Sequence, residues 1–417
     1  MTLYLTNTLT RRKAPFKSKE LERVKLFTCG PSIYKRPHVG NFATFLFEDV
    51  LQRYLEYAGY TVERVINFTD VEDKAVEAAG ERGISLSELT APVAKRFKEE
   101  AAILQIRLPR RIPRSSTHVN EAVHLIQILM ERGFAYRHGK DVFYDPLKFK
   151  GFGKLFRLDM SRWPKKKRRF RKDTYPGQRW NLGDFILWHG YRSGRDERFY
   201  WDTPIGKGRP AWNIQDPAII SSKLGYEIDI ACGGVDNLYR HHDYTIAIME
   251  AISQRPFARY WLHGEHVFLE GKKMSKSRGN ILYLENMTNK GFSAKEIRFY
   301  LIYGHYRKKI NLTSDEMQKS AVRLKELRET AQKLCRRSGR RNPAFKNAET
   351  GRWVEELTGT FEAKMNDDLD VKGAFDGIHA TLKKLHAVQR EYGLSEKNQK
   401  QILRALERID GVFKVLF

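Results

Sequence analysis

The stretch TCGPSIYKRPHVGN, residues 28–41, joins a short apolar segment to an amphipathic one, and it decides the fold. The segment KLFTCG at 25–30 predicts a β-strand. After the Pro/Gly turn, FLFEDVLQRYLEYAGY at 45–60 has apolar residues at helical spacing, and the strand-like TVERVINF follows at 61–68. This order of strand, helix and strand predicts a parallel βαβ unit, which brings strand ends and a helix N-terminus to one edge.

The residues Pro37, His38, Gly40 and Asn41 lie where the first strand turns into the helix. Gly40 leaves room for a ligand to approach the backbone. The imidazole of His38 and the amide of Asn41 can donate hydrogen bonds to phosphate oxygens at the positive end of the helix. The turn therefore predicts an anion site.

A second stretch, GKKMSKSRGN at 271–280, carries Lys273 and Lys276 among small residues and also suits an anion. A solvated basic loop is the ordinary alternative. Together, however, PHVGN and KMSKS resemble the HIGH and KMSKS signatures of class I aminoacyl-tRNA synthetases.

The resemblance narrows to one family within that class. TCGPSIYKRPHVGN is similar to the opening of cysteinyl-tRNA synthetases, in which an asparagine, here Asn41, ends the first signature. Further segments resemble that family in the same order, over roughly residues 20–390 of the chain. They are INFTDVEDK (66–74), GFAYRHGKDVFYDPLKFKGFGKL (133–155), DFILWH (184–189), WDTPIGKGRPAWNI (201–214), WLHGEHVFLEGKKMSKSRGN (261–280) and MNDDLDV (365–371).

The resemblance implies an α/β fold: a Rossmann-like nucleotide-binding domain of the HIGH/KMSKS type with a connective insertion, followed by an α-helical bundle. The expected parts are the first half of the catalytic domain at 20–105, the insertion at 106–200, the second half with the KMSKS loop at 201–290, a stem-contact region at 291–315 and a bundle, shortened at its C-terminus, at 316–417. The bundle has independent support in a capping box at Thr313 and Glu316. An apolar stripe follows it, formed by Met317, Ala321, Leu324, Leu327, Ala331 and Leu334.

The implied chemistry is the activation of an amino acid by ATP, with Mg²⁺, followed by transfer to the 3′ end of tRNA. Positioning and electrostatic stabilisation carry the rate of such a reaction. The catalytic residues implied by the matching motifs are His38, Asn41, Lys273 and Lys276. The implied ATP-binding set is Pro37, His38, Gly40, Asn41, Gly233, Gly234, Asp236, Lys273, Met274, Ser275, Lys276 and Ser277.

The amino-acid pocket departs from the family more than the ATP site does. The implied pocket residues are Cys29, Thr69, Trp212, Asp216, His241 and Thr245. In this family a zinc ion held by two cysteines, a histidine and a glutamate recognises cysteine. Cys29 and His241 are kept, whereas Asp216 replaces the second cysteine and Thr245, a neutral hydroxyl that seldom binds zinc, replaces the glutamate.

Three candidate metal ligands therefore remain, namely Cys29, Asp216 and His241. We expect less than about one zinc ion per two chains, and only a weak preference for cysteine over other small or polar amino acids. The ordinary alternative for His241 and His242 is a hydrogen-bonded pair at a helix start.

Composition favours a polyanionic partner. The 417 residues contain 76 Lys and Arg against 50 Asp and Glu, a formal net charge of +26. Basic clusters occur at 165–172 and 335–341, and tRNA is the expected partner beside ATP and a small amino acid.

The three cysteines lie far apart, and neither a membrane-length apolar run nor a secretory signal is evident. We therefore expect a cytoplasmic monomer or weak oligomer without a membrane partner.

Two other classes of function compete with a tRNA ligase. A related ligase would pass the activated amino acid to a non-tRNA acceptor, which a shortened C-terminus favours. A non-catalytic RNA-binding relative is disfavoured, because an unused phosphate site has no reason to keep His38, Gly40, Lys273 and Lys276 together.

Overall fold

A computed structural model describes residues 2–162, 183–194, 196, 199–274, 279–335 and 347–417, with the backbone alone for residues 347–351. The strands are Tyr4–Asn7 (β1), Arg12–Pro15 (β2), Arg23–Thr28 (β3), Thr61–Ile66 (β4), Ala135–His138 (β5), Asp141–Tyr144 (β6), Phe185–Gly190 (β7), Gly208–Pro210 (β8), Ile228–Gly234 (β9), Ala258–Gly264 (β10), Val267–Leu269 (β11), Lys272–Lys273 (β12) and Ile310–Leu312 (β13).

The α-helices are Val39–Tyr57 (α1), Asp73–Arg82 (α2), Leu86–Ile103 (α3), Val119–Glu131 (α4), Trp212–Lys223 (α5), Asp243–Ser253 (α6), Leu284–Thr288 (α7), Ala294–Ile302 (α8), Ser314–Cys335 (α9), Asn347–Met365 (α10), Val371–Tyr392 (α11) and Glu396–Phe413 (α12). Across the described ranges, no helix is long and apolar enough to cross a membrane.

A four-stranded parallel sheet forms the centre of the fold, in the order β10, β9, β3, β4. Helix α1 connects β3 to β4, so the predicted βαβ unit is confirmed. Its buried face carries residues such as Phe42, Leu46 and Leu51. Because all four strands are parallel, their carboxyl ends share one edge, and α1 begins at that edge.

A second, antiparallel sheet has the order β5, β6, β7, β8. It packs with α4 around a separate core that includes Leu129, Tyr144 and Trp188. Strands β5 to β7 fall within the insertion expected at 106–200, and β8 lies just beyond it. The domain bounds given above remain predictions.

The C-terminal part is helical, from α9 to α12. Helix α9 buries the apolar stripe described above, and the Thr313 hydroxyl accepts a hydrogen bond from the backbone N–H of Glu316 at 3.1 Å. The periodicity therefore located the buried face of this helix correctly.

A buried arginine joins these helices to the catalytic domain. Arg298 of α8 is 1% exposed. It donates to Oδ2 of Asp49 on α1 at 2.6 Å, to the Leu104 carbonyl at 2.8 Å and to the Phe413 carbonyl at 2.6 Å. Asp49 also accepts from Arg53 Nε at 2.8 Å and from the backbone N–H of Arg107 at 2.8 Å. One guanidinium thus connects α1, the end of α3, α8 and the end of α12.

Replacing Arg298 by methionine is expected to destabilise the fold by about 3–5 kcal/mol, because a buried carboxylate loses a partner and two carbonyls lose their donor. Urea unfolding of the full chain measures the change. The control is Arg323→Met, whose guanidinium donates to the Tyr303 hydroxyl at an exposed position and should matter by about 1 kcal/mol or less. Equal losses in the two variants would contradict the role given to Arg298.

Candidate nucleotide and amino-acid site

A cleft of about 560 Å³ opens at the carboxyl edge of the central sheet. Most of the implied ATP-binding residues line it, namely Pro37, His38, Gly40, Asn41, Gly234, Asp236, Lys273 and Met274. Gly233 is the neighbour of Gly234 at the end of β9. The segment with Ser275, Lys276 and Ser277 lies outside the described residues. The predicted residues lie far apart in the sequence, and the fold brings most of them to one cavity.

The amino end of α1 is the electropositive wall of this cleft. His38 is the residue before the helix, and its backbone N–H donates to Oδ1 of Asn41 at 3.0 Å. The side-chain amide oxygen of Asn41 therefore accepts a hydrogen bond within the helix cap. The side-chain NH₂ group of Asn41 is left as a donor to a ligand. The first turn contains no acidic residue, so nothing there opposes a bound phosphate.

The two signature segments touch each other at Gly40. A Cβ atom on Gly40 would lie 3.0 Å from Cε of Met274 and 3.0 Å from Cε1 of His38. Met274 is buried against this turn. Glycine at this position therefore permits the close approach of the HVGN turn and the KKM segment.

Lys273 is held at the opposite side of the cleft. Its Nζ donates to Oδ1 of Asp236 at 2.7 Å and lies 3.3 Å from Nε2 of His266. Both members of the ion pair are about half exposed, and such pairs contribute little in water. A phosphate in the cleft would therefore compete readily with Asp236 for this ammonium group.

Sequence reasoning missed a set of ion pairs behind the HVGN turn. Arg36 donates to Oε1 of Glu285 at 2.7 Å and to Oε1 of Glu100 at 3.0 Å, and its guanidinium lies over the Tyr283 ring at 4.6 Å. The backbone N–H of Val39 donates to the Leu282 carbonyl at 2.9 Å. The segment after the second signature is thereby fixed to the turn that carries the first.

Three side chains of the implied amino-acid pocket converge tightly. The Sγ atom of Cys29 lies 3.1 Å from Oδ2 of Asp216 and 2.8 Å from Nε2 of His241, and these two atoms are 2.9 Å apart. Trp212 stacks on His241 with ring centroids 4.4 Å apart. Asn67 donates to Oδ1 of Asp216 at 2.8 Å and so orients this carboxylate.

The remaining pocket residues lie at the periphery of this cluster. The Thr245 hydroxyl donates to the backbone carbonyl of His241 at 2.9 Å, which commits it to the helix. The Thr69 hydroxyl accepts a long hydrogen bond, 3.5 Å, from the Asn67 side-chain amide. Burial and the Asp216 carboxylate raise the pKa of the Cys29 thiol well above its usual value, so without a cation the group is neutral.

A further histidine lies beside this cluster. A ring nitrogen of His242 is within 4.8 Å of ligand atoms of both Cys29 and His241. Its Nδ1 is 2.7 Å from Nε2 of His263, whose Nδ1 is 3.0 Å from the Thr8 hydroxyl. Burial lowers the pKa of His242 well below its usual value and that of His263 to about 3, so both rings are neutral. His241 and His242 are each hydrogen-bonded, but to different partners.

Comparison with known proteins gives the class first. Residues 15–322 match the family described as tRNA synthetases class I (C) catalytic domain. In fold, the chain resembles Mycobacterium tuberculosis methionyl-tRNA synthetase in complex with methionyl-adenylate, with a TM-score of 0.66 at 15% identity, over 94% of this chain and 90% of that one. It also resembles a ternary complex of Agrobacterium radiobacter LeuRS with tRNA, with a TM-score of 0.61 at 11% identity, over 96% and 85% of the two chains. The fold is that of a class I tRNA synthetase, as expected.

Curated relatives give the family within that class. The protein named cysteine--tRNA ligase from Chlamydia felis is 38% identical over 425 residues, which cover 99% of this chain and 86% of the relative. Its namesake from Chlamydia muridarum is 34% identical over 100% of this chain and 88% of the relative. This chain belongs to the cysteine--tRNA ligase family. The predicted family and the predicted ligase class are confirmed, whereas the roles of individual residues remain predictions.

The variant Gly40→Ala tests the contact between the two signature segments. The added Cβ forces His38 or Met274 to move. The required shift is a few tenths of an ångström, and since a misplacement of about 1 Å can cost about 100-fold in rate, we expect ATP–pyrophosphate exchange to fall by about 3- to 10-fold. The control is Gly80→Ala in α2, where a Cβ meets nothing within 4 Å. Equal exchange rates in the two variants would show that the close approach is irrelevant.

Proposed function

We propose that this chain activates a small amino acid with ATP as its aminoacyl adenylate and then esterifies it to the 3′ end of a tRNA. The observation that carries the proposal is the cleft in which the amino end of α1, the KKM segment and Asp236 face one another. A site of this kind holds a nucleotide triphosphate by its phosphates. Membership of the cysteine--tRNA ligase family supports the same reaction.

In the first step, a carboxylate oxygen of the amino acid attacks the α-phosphate of ATP, and the bond to pyrophosphate breaks. His38 and Asn41 would hold phosphate oxygens from the helix side, and Lys273 would transfer from Asp236 to the departing pyrophosphate. Mg²⁺ supplies further positive charge when bound with ATP. No protein nucleophile is required, because orientation and preorganised charge lower the barrier.

Lys276 is the residue to which we assign the largest share of charge stabilisation on pyrophosphate. Although it lies outside the described residues, its spacing from Lys273 places it in the same signature. Lys276→Ala is expected to lower ATP–pyrophosphate exchange by about two orders of magnitude, as for the removal of one preorganised donor. An unchanged rate in a folded variant would refute the assignment.

Cysteine is the amino acid we propose as substrate. Support comes from the names of the relatives and from the clustering of Cys29, Asp216 and His241, whose donor types suit a thiophilic metal. The second candidate is another small polar amino acid. It is favoured by Asp216, because a carboxylate without a metal prefers a hydrogen-bond donor to a thiol. Exchange measured with each amino acid in turn separates the two.

The acceptor is proposed to be tRNA because of a basic groove between the β1–β2 hairpin, α8 and the helical bundle. The groove has a volume of about 1090 Å³. Its cationic residues are Arg11, Lys13, Arg307, Lys308, Lys309, Lys319, Arg323 and Lys372. Several are paired with acids, for example Arg307 with Asp368 at 3.1 Å. Within the described ranges, Lys308 and Lys309 are among the groove's cations that show no such ion pair, so their ammonium groups are available to phosphates. The basic runs at 165–172 and 336–341 lie outside the described residues.

Neutralising Lys308 and Lys309 together should weaken tRNA binding and reduce the slope of log affinity against log salt by up to about 0.7–0.9 per lost phosphate contact. The matched control replaces Lys95 and Lys397, which lie outside the groove, and should leave the slope unchanged. A second comparison neutralises Lys165 to Arg169. A slope that changes only in that variant would place the contact at 163–173 instead of the groove. A slope that changes in none would favour a non-tRNA acceptor.

A further inference from the structure

The turn between α10 and α11 contains two consecutive residues with left-handed backbone. Asp368 and Leu369 have φ angles of 58° and 57°. Aspartate tolerates this conformation, whereas leucine seldom adopts it, because its Cβ crowds the following carbonyl oxygen. Strained backbone of this kind persists only where the surrounding structure determines it, and it is frequent at functional sites. The contacts of these two residues must therefore fix the turn.

The carboxylate of Asp368 provides most of these contacts. It is 4% exposed, and each of its oxygens accepts two hydrogen bonds. Oδ1 accepts from the backbone N–H of Thr6 on β1 at 2.8 Å and from the Tyr306 hydroxyl at 2.8 Å. Oδ2 accepts from the Thr6 hydroxyl and from a guanidinium N–H of Arg307 at 3.1 Å. One carboxylate thus joins the helical bundle to the N-terminal hairpin and to the segment after α8.

Tyr306 continues this connection to the wall of the nucleotide cleft. Its ring stacks on Phe47 of α1, with centroids 4.3 Å apart. Its backbone carbonyl accepts from the N–H of Glu265, which lines the cleft, at 2.7 Å. The segment then enters β13, which pairs with β11, and β11 pairs with β12, the strand that carries Lys273. A continuous series of contacts therefore leads from Asp368 to Lys273.

The β11–β12 hairpin depends on this segment for its position. Its strands have only three and two residues, and a short two-stranded hairpin is marginally stable alone. Beyond the pairing with β13, the N–H of Glu270 donates to the Leu312 carbonyl at 3.0 Å, and the N–H of Gly271 donates to Oδ1 of Asn311 at 2.8 Å. A shift of the 305–312 segment would therefore move the hairpin.

We infer that Asp368 is a positioning residue for Lys273. By holding Tyr306 and Arg307, it fixes the segment on which the β11–β12 hairpin rests, and so sets where the ammonium group meets the phosphates of ATP. Asp368 itself lines the basic groove, so its effect on ATP is exerted through the hairpin. The inference rests on the proposed function, which assigns Lys273 to those phosphates.

A double-mutant cycle tests the inference, with the affinity of the full chain for Mg²⁺–ATP measured by isothermal titration calorimetry. Asp368→Asn preserves the size and the left-handed backbone but replaces one acceptor oxygen by an NH₂ group. It should weaken ATP binding by about 3- to 10-fold, because the misplacement is a fraction of an ångström. In the Lys273→Ala chain the same substitution should change the affinity by less than about 1.5-fold, since two residues that act through one contact are not additive.

Two further variants separate positioning from general damage. Asp367→Asn, the matched control, alters the neighbouring carboxylate, which pairs with Lys13 at an exposed position and should leave ATP affinity unchanged. Tyr306→Phe removes only the hydroxyl that reaches Asp368 and keeps the ring on Phe47. It should weaken ATP binding by about 2- to 5-fold in the unaltered chain and not in Lys273→Ala. This milder change keeps the test valid if Asp368→Asn folds poorly.

Urea unfolding of each variant reports stability beside affinity. The inference is overturned if Asp368→Asn and Tyr306→Phe lower stability but leave the ATP affinity of the folded protein unchanged. It is also overturned if their effects persist in full in Lys273→Ala, or if Asp367→Asn weakens binding equally. The expected cycle without ATP–pyrophosphate exchange for any amino acid would count against the proposed function alone. An unaltered chain that binds no ATP would overturn both.

Discussion

The bond between Arg298 and Asp49 is the interaction on which the arrangement of the molecule depends. Asp49 lies on α1, which begins at the edge of the central sheet where the nucleotide cleft opens. Arg298 reaches it from α8 and, through carbonyl oxygens, also holds the ends of α3 and α12. A buried charge of this kind is costly unless it is paired and hydrogen-bonded, so these contacts favour one arrangement of the four elements.

Helix α1 is also fixed from the sheet side. Glu48 accepts from Arg64 of β4 at 3.1 Å, and Arg64 in turn donates to the hydroxyl of Thr28 at the end of β3, also at 3.1 Å. Burial raises the pKa of Glu48 to about 8, although the nearby arginine opposes this. The neighbouring carboxyl groups of Glu48 and Asp49 thus attach α1 to the sheet and to the C-terminal helices, respectively. The amino end of α1, which carries His38 and Asn41, is therefore rigidly placed relative to the strand that ends beside Cys29.

The nucleotide cleft and the amino-acid pocket depend on different kinds of contact. The cleft uses a helix end, a glycine and lysines, so its chemistry resides in short contiguous motifs. The pocket uses single residues that follow β3, lie on α5 and lie in the turn before α6, and they meet only in the folded chain. The motifs at 37–41 and 271–280 are contiguous in the sequence, whereas the pocket residues are not.

By itself, the sequence determined the βαβ unit, the buried stripe of α9, the family and a set of ATP-binding candidates most of which line the cleft, because periodicity and contiguous motifs are local properties. It did not reveal the bond from Arg36 to Glu285, which are 249 positions apart, or the commitment of the Thr245 hydroxyl to a carbonyl. Nor did it show that the ring of His242 is hydrogen-bonded to the ring of His263, 21 positions away. Long-range packing decides which donor is already used and which is left for a ligand, and a linear pattern does not contain that information.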